Sequence, residues 1–128
     1  MTASAARPRD SWLDRNEGLL RIIGARLSSV QFVLNYLILG FDEKGALTSL
    51  VWPEVMHADH TLKFGDPGYR DRLCELIEKV VTGASMDSAD TITIQLGDDD
   101  RLKLPLSTYG GQGERAILTG PQHYLRVF

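Results

Sequence analysis

The sharpest pattern in the chain is a strict alternation of polar and apolar residues in its last third. Thr91-Ile92-Thr93-Ile94-Gln95-Leu96 alternates, and so does Arg101-Leu102-Lys103-Leu104-Pro105-Leu106. Successive side chains of a strand point to opposite faces, so a period of two marks a sheet with one face in the core. Gly97-Asp98-Asp99-Asp100 joins the two runs. The pair predicts a hairpin with its isoleucines and leucines on the dry face. Thr91, Thr93, Gln95, Arg101 and Lys103 make the wet face. Pro105 lacks an amide hydrogen, which points to an edge or an irregularity in its strand.

The same period runs through Leu27 to Val33, read as a half-buried strand. Tyr36 to Phe41 is almost wholly apolar and predicts a strand buried on both faces. Asp42-Glu43-Lys44-Gly45 is a turn, and Leu47 to Trp52 a third strand, stopped by Pro53. These three make a meander. Ala116 to Thr119 and Tyr124 to Phe128 read as two closing strands about a Gly120-Pro121 turn. His57 to Phe64 fits either a loop or a short strand at Thr61 to Phe64.

A helical period is clear once. Asp66-Pro67 offers an N-cap acceptor and a preset first turn. Tyr69, Leu73, Leu76, Ile77 and Val80 then fall on one stripe, and Gly83 suits a left-handed stop. The spacing predicts one main helix over about 67–82. Near the start, Ser11 to Glu17 predicts a short helix, while Leu19 to Ile23 fits helix or extended chain. Met86 to Ala89 reads as a linker. Strands in runs around one helix predict an α+β fold: a curved, mostly antiparallel sheet of about six to seven short strands on that helix.

Length then bounds the architecture. The 128 residues, 43% hydrophobic, suit one domain with one core. We expect a loose arm over 1–9 and a single domain over 10–128. The longest apolar run, about ten residues near Phe32 to Phe41, is too short to span a bilayer. One cysteine, Cys74, makes neither an internal disulfide nor a cysteine-based zinc site. It sits beside the helix stripe and reads as a small, partly buried residue. No secretory leader is legible. Together these features point to a soluble cytoplasmic protein with no membrane partner.

Charge adds direction. The formal net charge is −3. Residues 1–30 carry +2, through five arginines, and residues 31–128 carry −5. An acidic body, without an aromatic RNA-binding pattern, argues against nucleic acid. It favours a protein partner, either a basic one or a second copy of this chain. A free edge at 124–128 would allow a homodimer.

Candidate chemistry is sparse. His57-Ala58-Asp59-His60 is the one ligand-rich cluster. In an extended chain His57 and Asp59 share a side and His60 faces away; on a helix the two histidines meet. Such a set suits a divalent metal, but the spacing matches no established metal motif. Glu54 with Asp59 is a conceivable carboxylate pair for acid–base work. Asp98, Asp99 and Asp100 put three carboxylates on a hairpin tip, beside Arg101 and Lys103, and form a candidate binding surface. The tip lacks the twelve-residue ligand series of an EF-hand. Gly110-Gly111-Gln112-Gly113 has no following Lys-Ser/Thr, so it is no phosphate loop. No nucleophile–base set is legible, so no catalytic residue and no cofactor is assigned.

Several segments together resemble a group of small bacterial proteins with no established activity. They are Ser29 to Tyr36, Leu39 to Asp42, Leu47 through Trp52-Pro53, and Gly65-Asp66-Pro67-Gly68-Tyr69-Arg70-Asp71-Arg72-Leu73-Cys74. The resemblance covers most of residues 26–106, with Asn35 where those proteins often carry aspartate. It implies no catalytic residue. Small α+β proteins of this kind resemble, in fold and size alone, immunity or accessory partners of secreted toxins. The expected function is a non-enzymatic interaction module. The alternative is a small metal- or ligand-binding enzyme domain built on His57, Asp59 and His60.

Overall fold

The alternating runs become strands, and strands also form where the periodicity predicts helix or loop. In the computed structural model, residues 16–108 and 115–128 are described. Among them ten strands form two five-stranded antiparallel sheets. The first sheet holds β1 (Ser29–Val33), β2 (Tyr36–Phe41), β3 (Gly45–Ser49), β9 (Ala116–Gly120) and β10 (Tyr124–Val127), in that order. The second holds β4 (Glu54–His57), β5 (His60–Leu62), β6 (Val81–Met86), β7 (Thr91–Leu96) and β8 (Asp100–Pro105), in the order β5-β4-β8-β7-β6. Two short helices accompany them: α1, described over residues 16–20, and α2 (Tyr69–Cys74).

One apolar cluster draws on both sheets. Leu37, Leu39, Phe41, Leu47 and Leu118 enter it from the first sheet, and Val55, Ile92, Ile94, Leu102 and Leu104 from the second. Each fully buried leucine or isoleucine contributes about 1.5–3 kcal/mol relative to exposure. The sheets meet at one corner, where residues 24–27 run antiparallel to 78–81. There Leu27 N–H donates to Lys79 O (2.9 Å) and Val81 N–H to Ala25 O (2.8 Å).

The β7–β8 hairpin is as expected, with Ile94 opposite Leu102 and Ile92 opposite Leu104. The β1–β2–β3 meander also forms. Strand β2, however, buries only alternate residues, Leu37, Leu39 and Phe41, while Tyr36, Ile38 and Gly40 stay half-covered. One face meets the core and the other does not.

The expected sheet on one main helix is overturned: the fold is mostly β. Helix α2 ends at Cys74, and residues 75–78 are turns. Glu78, at φ +85°, turns the chain out of helical geometry. The stripe is real over Tyr69, Leu73 and Leu76, which are buried, but Val80 is exposed and Val81 starts a strand. The β-branched run Val80-Val81-Thr82 fits a pleated surface better than a helix. Gly83 does not cap a helix; it lies in β6, where the pairing register slips between Val81 and Gly83. The expected linker at Met86 is the end of that strand.

The helix start also differs. Its N-cap position is Gly68 at φ +83°, while the Asp66 carboxylate accepts a hydrogen bond from Lys63 N–H at 2.8 Å. Asp66 therefore closes the preceding turn. Cys74 is exposed, not partly buried. The expected arm over 1–9, the first residues of the expected helix over 11–17 and most of the glycine-rich 107–113 connection lie outside the described residues. Among the described residues, no helix is long and apolar enough to cross a membrane.

Candidate functional site

A two-residue turn, Ala58-Asp59, reverses the chain between β4 and β5, with Ala58 at φ +53°. A positive φ at the first central position matches a tight hairpin turn. The resulting register sets His57 directly opposite His60. Opposite residues of an antiparallel pair share a face. The turn therefore brings together the two histidines that an extended chain would separate. Asp59 stays in the turn, and no group of three or more His, Cys, Asp or Glu among the described residues is placed to hold a metal ion. Glu54 lies at the other end of β4, opposite Lys103 of β8, away from Asp59 in that turn.

On its other edge β4 pairs with β8, and here His57 stands opposite Asp100. His57 Nδ1 lies 2.7 Å from Asp100 Oδ1, and Lys79 Nζ lies 3.1 Å from Asp100 Oδ2. The Asp100 side chain is 3% exposed, against 41% for His57 and 42% for Lys79. Burial alone raises the pKa of Asp100. The hydrogen bonds and positive charge of His57 and Lys79 outweigh it and hold the carboxyl below the ordinary aspartate value. An ionised carboxylate only accepts, so Nδ1 of His57 carries the hydrogen and donates it. Nε2 is left as the nitrogen open to a ligand.

His57 and His60 line a groove of about 240 Å³ with Val55, Leu62 and Arg72. Arg72 projects from α2, with Nη1 3.2 Å from Glu75 Oε1. The groove thus has an apolar floor and three nitrogen-bearing walls.

The acidic hairpin tip is divided by the fold. Asp98 and Asp99 are exposed in the β7–β8 turn, whereas Asp100 turns inward to His57 and Lys79. Arg101 and Lys103 are half-covered on the outer face of the sheet, opposite Met56 and Glu54 of β4. The five expected binding residues therefore do not form one surface.

A second surface gathers aromatic rings from four places in the chain. Phe32 of β1 and Trp52 of the β3–β4 connection stack with centroids 6.4 Å apart and planes 20° apart. Trp52 and Phe64 stack at 4.5 Å and 16°. Phe64 meets Tyr69 of α2 edge-on at 5.8 Å. Tyr69 is buried, its hydroxyl donates to Pro53 O, and burial pushes its pKa up. It anchors the stack from below. The guanidinium of Arg70 sits 5.6 Å from the Phe32 ring centroid. Leu34, in the β1–β2 turn, is 96% exposed, and Phe64 is 49% exposed.

Two grooves flank Arg70. One, about 300 Å³, runs along Phe32, Leu34 and Trp52. The other, about 370 Å³, lies beside Phe64 and includes Asp66 and Asp71. Along the chain these rings belong to a strand (Phe32), a strand end (Trp52), a loop or short strand (Phe64) and a helical stripe (Tyr69), so nothing local marks them as neighbours. The available signal was position: Phe32, Trp52-Pro53 and Phe64-Gly65 all lie close to chain reversals.

Comparison with known proteins found no family model matching the chain, no matching curated protein and no matching solved structure.

Proposed function

We propose that the protein is a non-enzymatic interaction module whose aromatic ledge receives an apolar and basic segment of a protein partner. The observation that carries this reading is the half-exposed stack of Phe32, Trp52 and Phe64, held by Tyr69 and bordered by Leu34 and Arg70. Trp, Tyr and Arg dominate binding energy at protein interfaces, and rigid rings lose little entropy on contact. Asp66 and Asp71, at the neighbouring groove, supply carboxylates for a lysine or arginine of the partner. The overall charge of −3 favours approach of a basic segment.

A displayed library of random twelve-residue peptides, selected on the full chain, tests this. Enriched peptides should combine an aromatic or large aliphatic residue with a nearby lysine or arginine. A selected peptide should lose at least tenfold in affinity to Phe64→Ala and several-fold to Asp71→Asn. No enrichment, or peptides indifferent to both substitutions, overturns the reading. So does binding that is lost only when the exposed β10 residues Leu125 and Val127 are changed.

A further inference from the structure

We propose that the groove between the β4–β5 hairpin and α2 binds an oxyanion, phosphate or carboxylate, carried on a small apolar stem. This site is separate from the aromatic ledge. Four features of the groove support it.

First, its polar walls are nitrogen groups. His57 and His60 face the same side of the hairpin by register, and Arg72 enters from the helix. Arginine presents a planar fork of N–H donors matched to two oxygens of one headgroup. Second, His57 is oriented. Its Nδ1 is held by the buried carboxylate of Asp100, whose second oxygen is held by Lys79. A protonated ring then donates from Nε2 to a ligand without giving up its anchor. Third, the surroundings disfavour a metal cation. Arg72 lines the groove itself, Lys79 is paired just behind it, and no three-ligand set exists among the described residues. Fourth, Val55 and Leu62 give the stem an apolar floor. A dry cavity of roughly 150 Å³ accepts benzene, so about 240 Å³ leaves room for one ring and its headgroup.

One group competes for the arginine. Glu75 lies 3.2 Å from Arg72 with its own side chain 62% exposed. Exposed ion pairs of this type are weak and exchange readily, so an arriving anion takes Glu75's place on the fork.

The test is a titration of the full chain with phenyl phosphate, benzoate, inorganic phosphate and the neutral benzyl alcohol. Nitrogen-15 spectra of the three histidine rings provide the readout. Phenyl phosphate or benzoate should shift His57 and His60 saturably and leave His123, in the β9–β10 turn, in place. Inorganic phosphate should shift the same two rings more weakly, and benzyl alcohol should not. Whichever aromatic anion binds tighter names the headgroup. Arg72→Gln should weaken that binding at least tenfold, and Arg72→Lys by a smaller factor, with amide spectra that keep the native pattern. The proposal is overturned if neither anion gives a saturable shift at His57 and His60. It is also overturned if benzyl alcohol acts equally, or if Arg72→Gln binds as the parent does.

Discussion

Oδ1 of Asp100 lies 2.7 Å from Nδ1 of His57, although 43 positions separate them in the chain. The β4–β8 register places them opposite one another, and Lys79 reaches the other carboxylate oxygen from the chain just before β6. A buried charge therefore ties together three segments that are far apart in the chain: β4, β8 and the approach to β6. The carboxylate is the member that has left water; the His57 ring and the Lys79 ammonium keep contact with water.

That asymmetry predicts an order of cost. Asp100→Asn removes the buried charge and leaves Lys79 and His57, both partly exposed, to water, and should destabilise by about 1–2 kcal/mol. The double change His57→Ala with Lys79→Ala strands the carboxylate without a cation, and should cost about 3 kcal/mol or more. Urea denaturation of the parent and both variants gives the comparison. Equal losses, or a smaller loss for the double variant, would contradict this arrangement.

Acid sensitivity follows from the same centre. The pKa of Asp100 is held below its ordinary value of 3.8 in the folded chain. Its stabilising contribution is complete above about pH 5 and fades as pH falls through that ordinary value towards the lower folded one, since the unfolded chain binds the proton first. Melting temperatures should therefore fall more steeply between pH 5 and pH 2 for the parent than for Asp100→Asn. Parallel curves would show that the carboxylate gains nothing from its partners.

Gly45 joins the 3₁₀ turn after β2 to strand β3 at φ +123°, and a side-chain carbon there would collide with the Thr119 carbonyl of β9. Gly65, at φ +97°, has open space around the same position. Gly45→Ala should cost at least about 3 kcal/mol by pushing β3 and β9 apart, whereas Gly65→Ala should cost only about 1–2 kcal/mol of backbone strain. Chemical denaturation of the two variants separates steric from conformational cost. The prediction fails if they are equally stable.

Tyr69 supports the ledge through one hydrogen bond, from its hydroxyl to the carbonyl of Pro53. Tyr69→Phe keeps the ring and leaves that carbonyl without its donor, at a cost of about 1–2 kcal/mol. The loss should appear in urea denaturation. Near-ultraviolet circular dichroism of Trp52 should change with it, because Pro53 follows Trp52 directly. An unchanged midpoint would remove Tyr69 as the anchor.

Much of the sheet structure was legible because alternation reports burial directly. Tyr36 to Phe41 and Thr91 to Leu96 carry the same bounds in sequence and structure. The pattern over 67–82 overstates the helix because Tyr69, Leu73 and Leu76 do obey the helical period, while α2 ends at Cys74. Nothing local then marks Glu78 as the residue that adopts a positive φ. Tertiary pairing decides it, since 78–81 bonds to 24–27 at the corner between the sheets. The His57–His60 pair is half legible: both histidines stand out in the sequence, but their shared face depends on the tight turn at Ala58-Asp59. Asp100 read as one of three similar turn acids, and only the long-range register makes it the buried one. The ledge was illegible for the same reason, as its rings come from β1, two connections and α2.

On the proposed reading the partner sits on the aromatic ledge. Amide chemical-shift mapping of the full chain with a selected apolar–basic peptide tests it most directly. The largest shifts should cluster at Phe32, Leu34, Trp52, Phe64, Arg70 and Asp71. Shifts confined to the Asp98–Asp99 tip, or to Leu125 and Val127 on the β10 edge, would contradict it.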